Sequence, residues 1–209
     1  MGKIVIFGAG GRAGKAAVAE ARRRGHEVTA VVRDPAAHAG LETDGVTVVA
    51  GDVLDAADVA KAAAGHDAVI ASVADLSAPP SEFYTGAVRA LGAGLADAGV
   101  SRLVFVGLAS LLAGRSGVPL MDEPGYPQEY REFLLGHAAG LAALADTGLD
   151  WLYISPAGDF DHSGGRTGSY RIAEHGDAES RLTYPDFAIA LLDEIDDPAH
   201  SRTHLGISA

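Results

Sequence analysis

Short runs of apolar, mostly β-branched residues recur along the chain and alternate with longer alanine-rich stretches. Runs of about five apolar residues without polar interruption are typical of strands buried on both faces of a parallel sheet. We predict strands at residues 3–7, 27–32, 46–50, 68–71, 102–106 and 150–154. The alanine-rich stretches predict helices at residues 15–24, 55–64, 81–98, 129–146 and 184–195.

This alternation of strands and helices predicts an α/β fold with a doubly wound parallel sheet and helices on both faces. We expect a single domain over residues 1–209, with a small substrate-side region at about 156–209. Residues 107–128 and 159–168 carry glycine or proline and little periodicity, so both are predicted loops. Short strands are expected near 169–172 and 204–207.

The turn between the first strand and the first helix is rich in glycine. It reads as Gly8-x-Gly10-x-x-Ala13 in one register and as Gly8-x-x-Gly11-x-x-Gly14 in another. Strand, glycine turn and helix form the context in which such a pattern binds a dinucleotide. Glycine permits the sharp turn and the close approach of a pyrophosphate, and the helix N-terminus offers unpaired N–H groups to it.

The end of the second strand carries the residues that select the dinucleotide. An acid at this place bonds the ribose 2′-hydroxyl, whereas an arginine suits a 2′-phosphate. Arg33 comes first and Asp34 second. Arg12, inside the glycine turn, is expected to reach the same phosphate. We therefore favour NADP, because a guanidinium matches phosphate geometry, and NAD stays an alternative because of Asp34.

Other strand ends are expected to face the same cofactor, because ligands bind at the carboxyl edge of such sheets. The residues concerned are Asp52, Val53, Ser72, Val73, Ala74, Ser155, Pro156 and Ala157. Asp52 has a second interpretation, as a cap of the following turn.

Composition narrows the range of partners. The formal net charge is −12, which argues against nucleic-acid binding. The chain has no cysteine, which excludes disulfides and thiolate chemistry. Without a membrane-spanning run or a signal-peptide pattern, we expect a cytoplasmic protein with no membrane partner, monomeric or dimeric.

Several segments together resemble the atypical short-chain dehydrogenases/reductases, which have a Rossmann-like fold. They are the glycine turn, residues 31–35, Gly51-Asp52-Val53 and residues 148–157. Residues 166–171 and 185–188 fit the narrower group of bacterial NADH-flavin reductases and their relative biliverdin-IXβ reductase. The resemblance implies an NAD(P)H-dependent oxidoreductase. We expect Asp186 to serve as a helix-start charge or core hydrogen-bond acceptor.

The usual catalytic pair of short-chain dehydrogenases, a tyrosine with a lysine four residues on, is absent. The chain has only Lys3, Lys15 and Lys61, so neither Tyr126 nor Tyr130 has that partner. The resemblance instead places a serine near the nicotinamide, at Ser110, and a proton-donating histidine at His137. As alternatives, Ser110 is a plain loop residue and His137 a histidine without chemistry. A second family histidine is replaced here by Gly158.

These observations favour a reductase that passes hydride from NADPH to a flavin, a quinone or a similar conjugated small molecule. The missing pair favours one alternative, a catalytically weak NADP-sensing regulator of the NmrA-like type. A second alternative, an enzyme like the nucleotide-sugar epimerases and dehydratases, fits the fold but is weakened by the missing pair. Asp159, Asp161 and His162 are polar loop residues in which we expect no metal site.

Overall fold

The computed structural model describes residues 1–209 and contains ten strands and five helices. The strands are β1 (Lys3–Phe7), β2 (Glu27–Val32), β3 (Val46–Ala50), β4 (Ala68–Ala71), β5 (Arg102–Val106), β6 (Asp150–Pro156), β7 (Asp159–Asp161), β8 (Arg171–Ala173), β9 (Arg181–Thr183) and β10 (Thr203–Ser208). The helices are α1 (Arg12–Arg23), α2 (Ala56–Ala63), α3 (Pro80–Ala98), α4 (Arg131–Ala145) and α5 (Tyr184–Asp196).

Eight of these strands form one sheet in the order β3-β2-β1-β4-β5-β6-β10-β8. All neighbours are parallel except β8, which runs antiparallel to β10. The strand order reverses between β1 and β4, which is the place where doubly wound sheets bind ligands. The predicted α/β fold with a doubly wound parallel sheet is confirmed.

Strand β1 shows why helices cover both faces. Its residues alternate, so that Ile4 and Ile6 join one buried cluster while Val5 and Phe7 join another. The Ile4 side packs with α1 and α5, and the Val5 side with α2, α3 and α4. Burial on both faces explains why the strands read as continuous apolar runs.

The C-terminal quarter differs from its prediction in two ways. Residues 159–161, expected as loop, form β7, which pairs in parallel with β9 as a separate two-stranded ribbon. Strands of three residues are too short to show a hydrophobic periodicity in the sequence. They form because they pair with strands on distant segments of the chain. In addition, β8, α5 and β10 belong to the main layers, so the outer region is limited to residues 157–170 and 174–183.

The segment 107–128 runs as the predicted loop beyond the end of β5. It contains two short 3-10 turns, Ala109–Leu111 and Leu120–Asp122, whose buried residues hold it against the fold. No helix in the chain combines the length and the apolar composition that a bilayer crossing needs.

Candidate functional site

The glycine turn is shaped by close backbone contacts. Gly8 has φ +72°, and a Cβ there would lie 1.9 Å from the carbonyl oxygen of Ser72 at the end of β4. A Cβ on Gly14 would lie 2.2 Å from the Gly8 carbonyl oxygen. Both positions therefore exclude any side chain, one through the turn and the other through helix-to-strand packing.

Gly11, unlike Gly8 and Gly14, has free space where a side chain would lie. A Cβ built on it would meet only the Gly8 carbonyl oxygen, at 3.4 Å, so the protein itself leaves space there. Gly11 is also the N-cap of α1, and no side chain caps the helix. The first-turn N–H groups are thus available to an anion beside a residue without a side chain. Of the two sequence registers, the one formed by Gly8, Gly11 and Gly14 has the geometry expected of a phosphate-binding turn.

A cavity of about 350 Å³ lies beside this turn, at the carboxyl ends of β1 to β4. Nine of the residues predicted to bind the cofactor line it: Gly8, Gly10, Gly11, Arg33, Asp52, Val53, Ser72, Val73 and Ala74. The structure thus brings together segments from four different strand ends in this first cavity.

Arg33 lies at the mouth of the first cavity and is its only lining arginine. Its Nη1 donates to Asp75 Oδ2 at 2.6 Å, while 70% of its side chain stays exposed. The backbone and hydroxyl of Ser77, together with Arg33, lower the pKa of Asp75 to about 2. Arg33 is therefore held next to a fully ionised carboxylate and keeps an accessible face for a further anion.

Two further acids near the cavity, Asp34 and Asp52, are engaged with the backbone. Asp34 Oδ1 accepts from the N–H groups of Ala36 and Ala37, at 3.0 and 3.4 Å. Asp52 Oδ1 accepts from Leu54 N at 2.9 Å, so its capping interpretation describes the contact it makes. Because Asp34 Oδ1 already accepts from the following turn, the Asp34 carboxylate is less available to bind a ribose hydroxyl.

His38 is a cavity residue that the sequence did not predict. It stands in the 3-10 segment Ala36–Leu41, and its ring lies against Gly10, where a Cβ would come within 2.5 Å of the ring atoms. His38 lies in the connection between β2 and β3, where the sequence shows no periodic pattern, and only the return of this segment to the glycine turn reveals the contact.

Arg12 requires a correction. Its side chain does not line the first cavity; instead its Nη1 lies 2.6 Å from His162 Nδ1. Contrary to the expectation, the side chains of Arg12 and Arg33 do not line the same cavity, and Arg33 is the only arginine of the first cavity. The partner of Arg12 is 150 positions away in the chain, beyond the reach of local sequence patterns.

A second cavity of about 350 Å³ continues along the same sheet edge, beyond the ends of β5 and β6. Its walls are largely apolar and aromatic. They include Leu108, Ala109, Ser110, Tyr126, Tyr130, Pro156 and Phe160, with Glu129, Asp159 and Arg181 among the charged residues. No lysine lines either cavity.

Ser110 is brought to this second cavity by the 3-10 turn after β5. The residue is 2% exposed, and its Oγ has no hydrogen-bond partner in the protein. A buried hydroxyl without a partner is costly unless a ligand or water satisfies it. Ser110 is therefore positioned to donate to a molecule in the second cavity.

The expectation for His137 as a proton donor is not supported. The residue is 4% exposed, lines neither main cavity, and its Nδ1 lies 2.7 Å from the hydroxyl of Tyr153. Its ring packs on Tyr84 with centroids 3.9 Å apart. Burial lowers the pKa of His137 to about 3, so the ring is neutral at physiological pH. His137 belongs to a buried aromatic cluster and lines neither of the two cavities.

Five further predicted cofactor residues do not line the first cavity; one of them, Gly14, packs against Gly8 as described above. Ser155 is fully buried, and its Oγ lies 2.8 Å from His204 Nε2. Ala13 and Ala157 are buried, and Pro156 lines the second cavity instead. The end of β6 therefore faces the second cavity and the core, because β4 and β5 separate it from β1.

Gly158 explains why the second family histidine is missing. A Cβ at this position would lie 2.3 Å from the carbonyl oxygen of Asp177 and 2.4 Å from that of Ser180. The segment 177–180 therefore packs where a histidine side chain at position 158 would extend, so a histidine is sterically excluded at this position.

The motif residues near 166 and 186 have structural contacts. The Asp186 carboxylate accepts from the N–H groups of Thr167 and Gly168 and from two hydroxyls, those of Thr167 and Thr183. These hydrogen bonds outweigh burial and lower the pKa of Asp186. Asp186 is thus the buried acceptor that we predicted. No group of three or more acidic, histidine or cysteine side chains is arranged to hold a metal.

Comparisons with known proteins agree with this geometry. The model of a family described as NAD(P)H-binding matches residues 8–198. Protein YwnB of Bacillus subtilis is 37% identical, and the match covers 96% of this chain and 95% of that protein.

Two solved structures are similar over nearly the whole chain. One, from Bacteroides thetaiotaomicron, is provisionally named an epimerase; it is 31% identical, with a TM-score of 0.85, covering 99% of this chain and 96% of that one. Another, from Streptococcus pneumoniae, is provisionally named an NADH-flavin reductase; it is 29% identical, with a TM-score of 0.82, covering 100% of this chain and 99% of that one. The chain belongs to the NAD(P)H-binding family of Rossmann-fold proteins, as its resemblance to atypical short-chain dehydrogenases/reductases predicted.

Proposed function

We propose that this protein is an NADPH-dependent reductase that delivers hydride directly to a flavin, a quinone or a related conjugated acceptor. One observation carries the proposal. Two cavities follow each other along the carboxyl edge of the sheet, the first beside the phosphate-binding turn and the second apolar and aromatic. A dinucleotide extending from the first towards the second meets its acceptor at the ends of β5 and β6.

The residues of the first cavity fit a nicotinamide dinucleotide. The uncapped start of α1 and the open side of Gly11 suit the pyrophosphate. The choice of NADP is supported by Arg33, whose guanidinium is largely exposed, and by Asp34, whose carboxylate already caps a turn. Val53 and Val73 supply apolar surface on the walls of the same cavity.

The second cavity suits direct hydride transfer. NADPH supplies the hydride, and a conjugated acceptor takes it without a strong acid from the protein. This matches a cavity with no lysine and with His137 buried elsewhere. The walls from Phe160, Tyr126 and Tyr130 orient a flat acceptor, Ser110 donates a hydrogen bond, and the accompanying proton comes from water.

Steady-state kinetics test the proposal. Purified protein is mixed with NADPH or NADH and a panel of FMN, FAD, riboflavin and soluble quinones, and oxidation of the reduced dinucleotide is followed by absorbance. We expect turnover with at least one acceptor and a lower KM for NADPH than for NADH. Tight NADPH binding without turnover across the whole panel would contradict a reductase.

The absence of a proton-donating pair also favours a second candidate, an NADP-sensing regulatory protein. This function requires a partner whose binding depends on the cofactor. A pull-down from lysate with and without NADP separates the two functions, because the sensor requires cofactor-dependent capture and the reductase does not.

The name given to the Bacteroides thetaiotaomicron structure keeps an epimerase-like function as a third candidate. The missing tyrosine–lysine pair and the small size of the outer region, residues 157–170 and 174–183, weigh against it. Incubation with nucleotide sugars and catalytic NAD is expected to give no isomerised product.

A further inference from the structure

A direct contact joins the glycine turn to the outer C-terminal region. Arg12 is the first residue of α1, next to Gly11 in the first cavity, and its Nη1 lies 2.6 Å from His162 Nδ1. Because arginine can only donate, His162 Nδ1 is the acceptor of this hydrogen bond. This is the one hydrogen bond that the Arg12 side chain makes within the protein.

From His162, aromatic contacts lead to the second cavity. The His162 ring stands edge-on to Tyr184, with centroids 5.6 Å apart. Tyr184 stacks on Phe160, with centroids 4.0 Å apart and an interplanar angle of 13°. Phe160 is a wall residue of the second cavity. Arg12 and Phe160 are therefore connected through only two intervening side chains.

The segment that carries His162 is well defined. Asp161 Oδ1 accepts from the N–H groups of Ser163 and Gly164 and from the Ser163 hydroxyl, at 2.8 to 3.1 Å. Asp161 itself ends β7, which pairs with β9. A change at His162 is therefore passed to β7 and its side chains rather than absorbed by a loose loop.

We propose that His162 is a positioning residue that couples the dinucleotide site to the Phe160 wall of the acceptor cavity. This inference rests on the proposed function, in which a dinucleotide occupies the first cavity. A guanidinium has five N–H donors, so Arg12 can donate to a phosphate at the start of α1 while Nη1 stays on His162. A bound dinucleotide thus restrains Arg12, then His162, then the stacked pair of Tyr184 and Phe160.

Hydrogen–deuterium exchange of backbone amides, with and without saturating NADP⁺, tests the coupling and needs no acceptor. In the wild-type protein, we expect NADP⁺ to slow exchange at residues 8–14 and also at 159–163, the latter by about 5-fold or more. His162→Ala is expected to keep the protection at 8–14 and to lose it at 159–163. His162→Asn is expected to restore it, because the Asn Oδ1 can accept from Arg12.

His175→Ala serves as the matched control, because His175 lies in the same outer region without a hydrogen bond to the glycine turn; its exchange pattern is expected to equal that of wild type. Protection at 8–14 without any at 159–163 in wild type would overturn the coupling alone. Full protection at 159–163 in His162→Ala would also overturn the coupling alone. Absence of protection at 8–14 would overturn the proposed cofactor site, and the coupling with it.

Discussion

Arg33 and Asp75 join the ends of β2 and β4 across the mouth of the first cavity, with Arg33 Nη1 2.6 Å from Asp75 Oδ2. The ion pair restrains the one arginine of this cavity without burying it, since 70% of its side chain remains exposed. A restrained and still accessible guanidinium loses less conformational entropy when it binds a phosphate. This arrangement is the main structural support for NADP over NAD.

Arg33→Ala is expected to weaken NADPH binding by roughly 10- to 100-fold, the loss of one hydrogen-bonded charge pair. NADH binding is expected to change by less than about 3-fold, because NADH has no 2′-phosphate to lose. Isothermal titration calorimetry with both cofactors measures the difference. Arg89→Ala, on an exposed arginine of α3 outside the cavity, is the control. Equal losses for NADPH and NADH would rule out the 2′-phosphate role.

Gly11→Val is expected to abolish dinucleotide binding while the fold survives. The protein leaves room for a side chain at Gly11, so the substitution lowers Tm by only about 2–4 °C, the cost of a poor N-cap. The added methyl groups occupy space beside the first-turn N–H groups of α1. Circular dichroism melting and calorimetric titration check the two effects separately.

Gly14→Val is the contrasting variant. A Cβ there would lie 2.2 Å from the Gly8 carbonyl oxygen, so folding itself should suffer and Tm should fall much further than for Gly11→Val. A Gly11→Val protein that still binds NADPH would show that the turn is only structural.

Ser110→Ala is expected to lower kcat/KM for the acceptor by about 10-fold, because the Ser110 hydroxyl is the unpaired donor in the second cavity. Stability is expected to stay equal or to rise by up to about 1 kcal/mol, because an unsatisfied buried hydroxyl is removed. Kinetics and urea unfolding measure the two quantities. Ser116→Ala, in the same loop but hydrogen-bonded to Glu123, should leave kcat/KM unchanged.

His137→Gln is expected to change the pH dependence of stability rather than of catalysis. Burial lowers the pKa of His137 to about 3, so the folded state binds a proton less readily than the unfolded state. The stability that comes from keeping His137 neutral in the folded state is therefore complete above pH 6.5. It is lost as the pH falls toward 3.

Between about pH 7 and pH 4 this one group removes about 3 kcal/mol from the free energy of unfolding of the wild type, and the variant should lack that slope. His204, whose pKa burial lowers to about 4, remains in the variant and keeps part of the acid sensitivity. Urea unfolding at a series of pH values measures the slope. A kcat that collapses at neutral pH in His137→Gln, with the fold intact, would restore His137 as a catalytic candidate.

The strand-end motifs were sufficient to predict much of the lining of the first cavity. Residues 3–7 and the glycine turn are local features, since burial on both faces and a sharp turn each leave a signature within a few residues. Nine of the predicted cofactor residues line the first cavity for this reason. The lining role of His38 was missed, because it depends on a loop that returns to Gly10.

The sequence by itself determined the doubly wound sheet, the phosphate-binding turn and the absence of a tyrosine–lysine pair, because these depend on residue type and short-range spacing. Only the tertiary structure decided where the chemistry-bearing side chains point. It buried His137 against Tyr153, directed Arg12 to His162 and left Ser110 unpaired in the second cavity. Each of these outcomes depends on packing between segments that are far apart in the chain. The local sequence pattern therefore does not predict the burial or the hydrogen-bond partners of these side chains.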